Sequence, residues 1–341
     1  MSFVPRHVLV TGGAGFIGAS FVHHLLATDP GVRIVTLDAL TYAGHRDNLA
    51  GLPDPDRHDL VEGSINDGEL VRRLLREHAI DTVVNFAAES HVDRSIAGPS
   101  AFIRTNVEGT FTLLESVRDV WIGEQGLAGT ALAARHRFHH VSTDEVYGDL
   151  PVGAPAFTEQ SPYAPRSPYA ASKAAADHLV RAWTATWGLP TLITACSNNY
   201  GPRQHAEKFI PVVIGSCLAR RPIPVYGDGL QRRDWLHVDD HCRAIDTVLR
   251  QADPGSTWNI GGANEQVNLE LVKRICALMD EMVPAGAPHG DLVRHVPDRP
   301  GHDRRYEVDA SRLRHELGWS PRVDFEAGLR ETVRWYLARL Q

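Results

Sequence analysis

Two carboxylic acids stand side by side in Thr143-Asp144-Glu145, at the end of the strand-like run Phe138–Thr143. Like charges repel, so adjacent acids aimed into one cleft would push one of them toward the protonated state. That supplies an acid and a base in one site, which eliminating water requires and plain alcohol oxidation does not. Two solvated loop acids would fit the same letters. A second pair, Tyr169 and Lys173, is four residues apart in Tyr-Ala-Ala-Ser-Lys. On a helix this spacing puts both side chains on one face, about 6 Å apart along the axis. A cationic lysine there favours the phenolate and so lowers the phenol pKa. A phenolate can take the proton of a sugar or alcohol hydroxyl as hydride leaves the carbon. Only three of the 35 Lys plus Arg residues are lysine, at 173, 208 and 273. A lysine kept against that background suggests a task arginine cannot perform.

A departing hydride needs an acceptor. Thr11-Gly12-Gly13-Ala14-Gly15-Phe16-Ile17-Gly18 follows the apolar run His7–Thr11 and opens the helical spacing of Phe16–Ala27. In that context the glycines permit a tight turn and close approach of backbone N–H groups to a pyrophosphate. The helix N-terminus adds favourable partial charge. Gly12, Gly15, Phe16, Ile17 and Gly18 are therefore candidate cofactor residues. Asp38 ends the next strand-like run, where a carboxylate accepts ribose hydroxyls. It would repel a 2′-phosphate, so NAD is expected rather than NADP, although Arg46 nearby could accept a phosphate.

These residues need a sheet to hold them. Strand-like and helical segments alternate through the first half: Val32–Leu37, Glu69–His78, Thr82–Ala88, Val107–Val117, Phe138–Thr143, Pro168–Trp187 and Thr191–Ala195. Gly188 and Pro190 close the long helix. Alternation of this kind predicts an α/β fold, a Rossmann-type doubly wound parallel sheet. After residue 196 Gly and Pro become frequent, which predicts a smaller, interleaved C-terminal substrate-binding lobe. The expected division is a dinucleotide domain over 1–195, rejoined by about 232–260, and a lobe of 196–231 and 261–341. A charge of −7 and no basic run argue against nucleic acid. No apolar run approaches 18 residues, so no membrane span is expected. The segment Met1–His7 lacks a signal-peptide pattern, and four scattered cysteines suit a reduced, cytoplasmic protein. No metal site is suggested.

The glycine turn, the Tyr–Lys pair and the hydroxyls of Ser142 and Thr143 together resemble the short-chain dehydrogenase/reductase superfamily. Further segments make the resemblance specific and run nearly end to end. They are Ala87-Ala88-Glu89-Ser90-His91-Val92-Asp93-Arg94-Ser95, Ser142 through Gly148, and Ser167 through Lys173. Beyond them come Ser197-Asn198-Asn199-Tyr200-Gly201-Pro202, Glu207-Lys208, Arg233-Asp234-Trp235 and Arg299 through Tyr306. The chain is similar to the extended branch, the NAD-dependent epimerase/dehydratase family, and within it to the nucleotide-sugar 4,6-dehydratases. The resemblance implies NAD as cofactor and a nucleotide-diphosphate hexose, dTDP-glucose first, as substrate. It implies that Tyr169 takes the C4 hydroxyl proton, that Thr143 hydrogen-bonds that oxygen, and that C4 hydride passes to NAD. Glu145 then takes the C5 proton, Asp144 protonates the leaving C6 hydroxyl, and the hydride returns to C6.

It further places Ile65 and Ala87 near the cofactor, Ser90 near nicotinamide or sugar, and Asn198, Lys208 and His302 near the substrate. Arg233, a planar fork suited to phosphate oxygens, fits a diphosphate clamp. Pro224 and Tyr226 could sandwich the base or form a packed loop, and Asn264 could contact the diphosphate. A homodimer through the helices at 101–118 and 168–187 is implied too. Three positions depart from the family pattern. Ser64 replaces an acid near the adenine, which could weaken the hold on NAD, and Arg203 and Ala206 replace the usual Tyr and Pro. The alternatives are a 4-epimerase or dehydratase acting on UDP-glucose or UDP-N-acetylglucosamine, and, more distantly, a non-catalytic NAD-sensing protein.

Overall fold

The computed structural model of the chain describes residues 2–340. Six strands arise in order from the first half: β1 (His7–Thr11), β2 (Arg33–Asp38), β3 (His58–Glu62), β4 (Thr82–Asn85), β5 (Arg137–Thr143) and β6 (Thr191–Cys196). Their β-branched runs are buried almost throughout in β1, β2, β4, β5 and β6, as strands covered on both faces must be. Seven further strands follow: β7 (Asn198–Tyr200), β8 (Ile223–Tyr226), β9 (Arg232–His237), β10 (Thr257–Ile260), β11 (Glu265–Val267), β12 (Val293–Val296) and β13 (Arg305–Tyr306). The main sheet has seven strands in the order β10-β6-β5-β4-β1-β2-β3. Every pairing in it is parallel. The helices Phe16–Thr28 and Val238–Gln251 pack one face through Phe21, Leu25, Ile245 and Val248. The other face carries Gly68–Glu77, Gly109–Val117 and Pro168–Trp187 through Leu74, Leu113 and Val180. Each such fully buried side chain contributes about 1.5–3 kcal/mol.

The long helix Pro168–Trp187 begins and ends where its sequence dictates. Ser167 caps it by accepting from the Ala170 N–H, Pro168 occupies its first turn, and Gly188 closes it in the left-handed conformation at φ 67°. The neighbouring helical stretch differs from a plain helix over Val107–Val117. It runs from Ser100 to Glu124, with π-helical segments at Ile103–Glu108 and Arg118–Glu124. No residue type signals that widening, and it turns Asn106 inward.

β1 to β3 run to one side of the sheet, and the chain then crosses back to β4 beside β1. A crevice opens at the carboxyl ends of β1 and β4, where such sheets hold ligands. The interval 232–260 divides in two. β9 joins a small sheet with β7, β11 and β13, and only Val238–Gln251 and β10 return to the main layer. β9 opens with Arg232, Arg233 and Asp234, charges that the doubly covered main sheet would bury without partners. The second lobe has its own core of Tyr200, Ile210, Ile214, Trp235, Leu271, Ile275, Leu329 and Val333. No helix of the described residues is long and apolar enough to cross a membrane.

Candidate active site

The turn after β1 is held by contacts that tolerate no side chain. Gly12 has φ 66°, and a Cβ there would lie 2.7 Å from the Ala87 nitrogen. A Cβ on Gly18 would strike the Gly12 carbonyl oxygen. The helix behind the turn starts at Phe16 with Gly15 as its cap, no side-chain cap and no acid in its first turn. Its first amides are thus unclaimed by side chains, which suits an anion such as a pyrophosphate. Asp38 is buried and accepts from the Ala14 N–H at 2.9 Å and the Leu40 N–H at 2.8 Å. Each oxygen keeps a lone pair for a ribose hydroxyl. Arg46 is committed to Glu62 at 2.7 Å, and Glu62 sits opposite Asp38 in register. Two carboxylates and an engaged arginine disfavour a 2′-phosphate. Ile65 is packed with Val71 and Leu113 in the core. Ser64 is exposed, and its hydroxyl donates to Asn66 at 3.3 Å. The residues present fit a dinucleotide without an extra phosphate.

Asp144 and Glu145 open a 3-10 turn at the carboxyl end of β5, with Thr143 as its cap. The Thr143 hydroxyl accepts from the Glu145 N–H at 3.3 Å and donates to Asp144 Oδ1 at 3.2 Å. Oδ2 of Asp144 is buried without a partner. Burial, then the Glu145 charge, pushes the Asp144 pKa well up. Burial also raises Glu145, but Arg299, Arg233 and Lys208 hold it down. The two acids are therefore unequal, Asp144 the proton holder and Glu145 the readier base.

Tyr169 and Lys173 share the helix face beside them. Lys173 donates to the Val141 carbonyl at 2.8 Å. Burial lowers its pKa to about 8, opposed by Asp177. The phenol departs from the expected direction: burial and the Glu145 charge raise the Tyr169 pKa, with a Thr143 hydrogen bond opposing them. Lysine alone does not outweigh desolvation and a facing carboxylate.

The second lobe brings cations to the same cleft. Arg233 donates to the carbonyls of Arg232 at 2.7 Å and Asp303 at 2.9 Å, with its guanidinium 4.2 Å from the Tyr306 ring centroid. Lys208 donates to the Ser90 carbonyl at 2.7 Å and hydroxyl at 3.3 Å, joining the lobes. His302 pairs with Asp298 at 2.6 Å and meets the Tyr226 ring edge-on at 6.1 Å. Burial, with Arg299 adding to it, lowers the His302 pKa to about 4. Tyr226 is 36% exposed at the end of β8, and Pro224 lies on the same face two residues back. Asn198 carries a buried, unpartnered Oδ1.

Asn264 is not brought to this group. Its carboxamide oxygen accepts from Gln266 at 2.7 Å, and it lines a separate cavity with Tyr200, Trp235 and Phe325. Its backbone N–H is tied to Asp234, and that bond turns the loop. Asn268 has the orphaned buried Oδ1 instead, and its N–H donates to the Gln231 carbonyl at 2.9 Å. Asn106 was also illegible in the sequence. Its carboxamide holds Glu89 at both backbone atoms, at 2.8 and 3.0 Å, and so fixes the strand-end loop that carries Ala87 and Ser90. Arg203 and Ala206 lie in the lobe junction, where the neighbouring His205 stacks on His45 at 5.7 Å.

A parallel sheet with a glycine-rich dinucleotide turn, a Tyr–Lys pair and a basic second lobe defines a Rossmann-type enzyme of the extended short-chain dehydrogenase class. The family model described as GDP-mannose 4,6 dehydratase matches residues 9–332, and the chain belongs to that family. A dTDP-glucose 4,6-dehydratase of Xanthomonas campestris pv. campestris (strain B100) is 59% identical, over 96% of this chain and 92% of that protein. One from Salmonella typhimurium is 49% identical over 98% of this chain and 93% of that protein. The solved dTDP-glucose 4,6-dehydratase DesIV of Streptomyces venezuelae, with NAD and TYD bound, superposes with a TM-score of 0.87. It is 47% identical and covers 97% of each chain. A UDP-glucose 4-epimerase from Thermotoga maritima shares the fold at 26% identity and a TM-score of 0.84, covering 98% of this chain and 100% of that chain.

Proposed function

We propose that this chain is an NAD-dependent dTDP-glucose 4,6-dehydratase, a hydro-lyase that forms dTDP-4-keto-6-deoxy-glucose and water. The observation that carries this reading is the unequal acid pair Asp144 and Glu145 beside Tyr169 and Lys173. An epimerase needs the tyrosine and lysine but no such pair. A non-catalytic NAD sensor would need none of the four. The relatives at 49–59% identity support the substrate.

NAD would be held by Gly12, Gly15, Phe16, Ile17, Gly18, Asp38, Ile65 and Ala87, and when bound it supplies a positive charge and reversible hydride acceptance. Tyr169 takes the proton of the C4 hydroxyl, and Thr143 steadies that oxygen. Lys173 supplies the positive charge that the phenolate needs on its own side. The ketone formed at C4 acidifies the C5 proton, which Glu145 removes. Asp144 protonates the C6 hydroxyl as it leaves. Glu145 then returns its proton to C5. Arg233 holds the diphosphate, while Ser90, Asn198, Lys208 and His302 bind around the sugar and diphosphate, and Pro224 and Tyr226 flank the base. Asn268 replaces Asn264 in this set.

A homodimer fits the exposed Ile103, Phe111 and Trp187 on the two helical segments beside the Tyr–Lys pair. A cytoplasmic site fits four free, buried cysteines. Offering dTDP-glucose, UDP-glucose and UDP-N-acetylglucosamine separately tests the substrate. Loss of one water from dTDP-glucose, read by mass spectrometry, is expected; turnover of a UDP-sugar alone would reassign it.

A further inference from the structure

The reaction returns NAD to its starting state in each turnover, whereas the sugar nucleotide must enter and leave the same cleft every time. The cofactor site therefore has to stay shut while the sugar site opens. The glycine turn and Asp38 form one side of it. The chain between Asp38 and His45 borders it too, and the chemistry above leaves that loop without a task.

The loop begins at the candidate ribose carboxylate and returns to the glycine turn. The Leu40 N–H donates to Asp38 at 2.8 Å, and the His45 N–H donates to the Ala14 carbonyl at 3.0 Å. It folds tightly on Asp38, since a Cβ on Gly44 would lie 2.5 Å from Asp38 Oδ1. Between these ties stands Tyr42, and groups from two other segments grip its ring. The Arg94 guanidinium lies 3.9 Å from the ring centroid. Arg94 is aimed by Glu207, with which it pairs at 3.2 Å. The His205 ring meets Tyr42 edge-on at 5.6 Å and stacks on His45 at 5.7 Å. The Glu207 N–H donates to His205 Nδ1 at 3.4 Å. His205 and Glu207 belong to the substrate lobe. Beside them the Gln204 carboxamide donates to the Asn199 carbonyl at 2.9 Å, and the Gln204 carbonyl accepts from the Tyr336 hydroxyl. Tyr42 thus joins the cofactor loop to the substrate lobe. Its ring is half-buried and lies outside the hydrophobic cores, so core packing does not account for it.

We propose that Tyr42 is the positioning residue that keeps NAD in its site between turnovers, by clasping the cofactor loop to Arg94 and His205. This rests on the dehydratase reading above, in which the cofactor is recycled. Arg233, which would hold the sugar's diphosphate, bonds to Arg232 and Asp303 and to none of these residues. The sugar nucleotide can therefore leave without undoing the clasp. For NAD to leave, the loop must lift from Asp38, and the Tyr42 ring must part from both partners. A cation–π contact and an edge-to-face pair are each weak, but here both must break together. The loss of such contacts is felt mainly in the rate of release.

Tyr42→Ala removes both contacts, and Tyr42→Phe keeps the ring. Each holoenzyme is loaded with radiolabelled NAD and chased with excess unlabelled NAD, and the label left on the protein is followed in time. Release from Tyr42→Ala should be roughly five- to thirtyfold faster than from the unsubstituted protein. Release from Tyr42→Phe should be unchanged. His205→Ala removes one of the two contacts and should fall between them; it decides the matter if Tyr42→Ala does not fold. At steady state on dTDP-glucose, Tyr42→Ala should lose activity on dilution and regain it when NAD is added, with the sugar KM unchanged. An unchanged release rate in Tyr42→Ala, or in His205→Ala where that variant decides, overturns the clasp. Release from Tyr42→Phe as fast as from Tyr42→Ala also overturns it, since that assigns the effect to the hydroxyl. A raised sugar KM that added NAD does not restore overturns it as well, since that places Tyr42 in the sugar site. Free NADH accumulating in step with product from the unsubstituted enzyme would overturn the dehydratase reading instead, while the release rates judge the clasp on their own.

Discussion

The Thr143 hydroxyl donates to Oδ1 of Asp144 across 3.2 Å, while Oδ2 of the same carboxyl is buried with no partner. One oxygen is fixed and the other is left to act. A carboxyl so placed holds its proton more easily than its charge, which is the condition for donating to a leaving hydroxyl.

Asp144→Asn should therefore lose activity and gain stability. Water elimination should fall by about 10²–10⁴-fold. The Asp144 pKa in the fold is raised above its unfolded value of about 3.9. A raised pKa means the folded state binds the proton more tightly, so stability falls as pH climbs from about 3.9 through the folded value. Asparagine has no proton to lose, so its Tm advantage should be larger at pH 7 than at pH 4. Thermal unfolding of both proteins across that range checks this; an advantage that shrinks with pH contradicts it.

Glu145 must be ionised to act. Burial raises its pKa, so the acid limb of kcat/KM should lie above the ordinary glutamate value of about 4.3. Arg299 is the first of the cations opposing that rise. Arg299→Gln should move the limb to higher pH. Glu145→Gln should leave NAD binding intact and stop water loss, and unchanged dehydration would remove Glu145 from the scheme.

Asp38 should decide the cofactor. NAD should bind more tightly than NADP in a direct titration. Asp38→Ala should weaken NAD by roughly 10- to 100-fold, the worth of hydrogen bonds to a charged group at about 1.5–3 kcal/mol. Part of that loss would come from the turn, since the Ala14 and Leu40 amides lose their acceptor. Tighter NADP binding by the unsubstituted protein would overturn the assignment.

Arg233 separates binding from chemistry. Its fork holds two backbone carbonyls and stacks on Tyr306, a geometry lysine cannot copy. Arg233→Lys should raise KM by about tenfold or more with a smaller change in kcat. Steady-state kinetics on dTDP-glucose separates the two.

Legibility in the sequence followed the range of the interactions. β1, β2, β5, β6 and the helix Pro168–Trp187 were readable because local pattern, caps and burial agree. The acid pair and the Tyr–Lys pair were readable because their partners are neighbours in sequence. The expected return of about 232–260 to the main layer applies to Val238–Gln251 and β10 but not to β9, which joins the small sheet and opens with charged residues. Asn264 and Asn268 cannot be told apart by type; in the fold Asn264 is held by Asp234 at its N–H and by Gln266 at its carboxamide. Asn106 depends on a π-helical widening that no residue announces. The fall in phenol pKa expected from Lys173 failed because burial is a property of the whole fold, not of two side chains. Tyr42, Arg94 and His205 come from three separate segments, so their grouping exists only in three dimensions.

The most direct test follows one hydrogen. dTDP-glucose carrying deuterium at C4 is converted to completion, and the product is examined by mass spectrometry and NMR. The account predicts a product lighter by one water, with deuterium in the C6 methyl group. Deuterium remaining at C4 in a product that has lost no water would make the enzyme an epimerase and contradict the account.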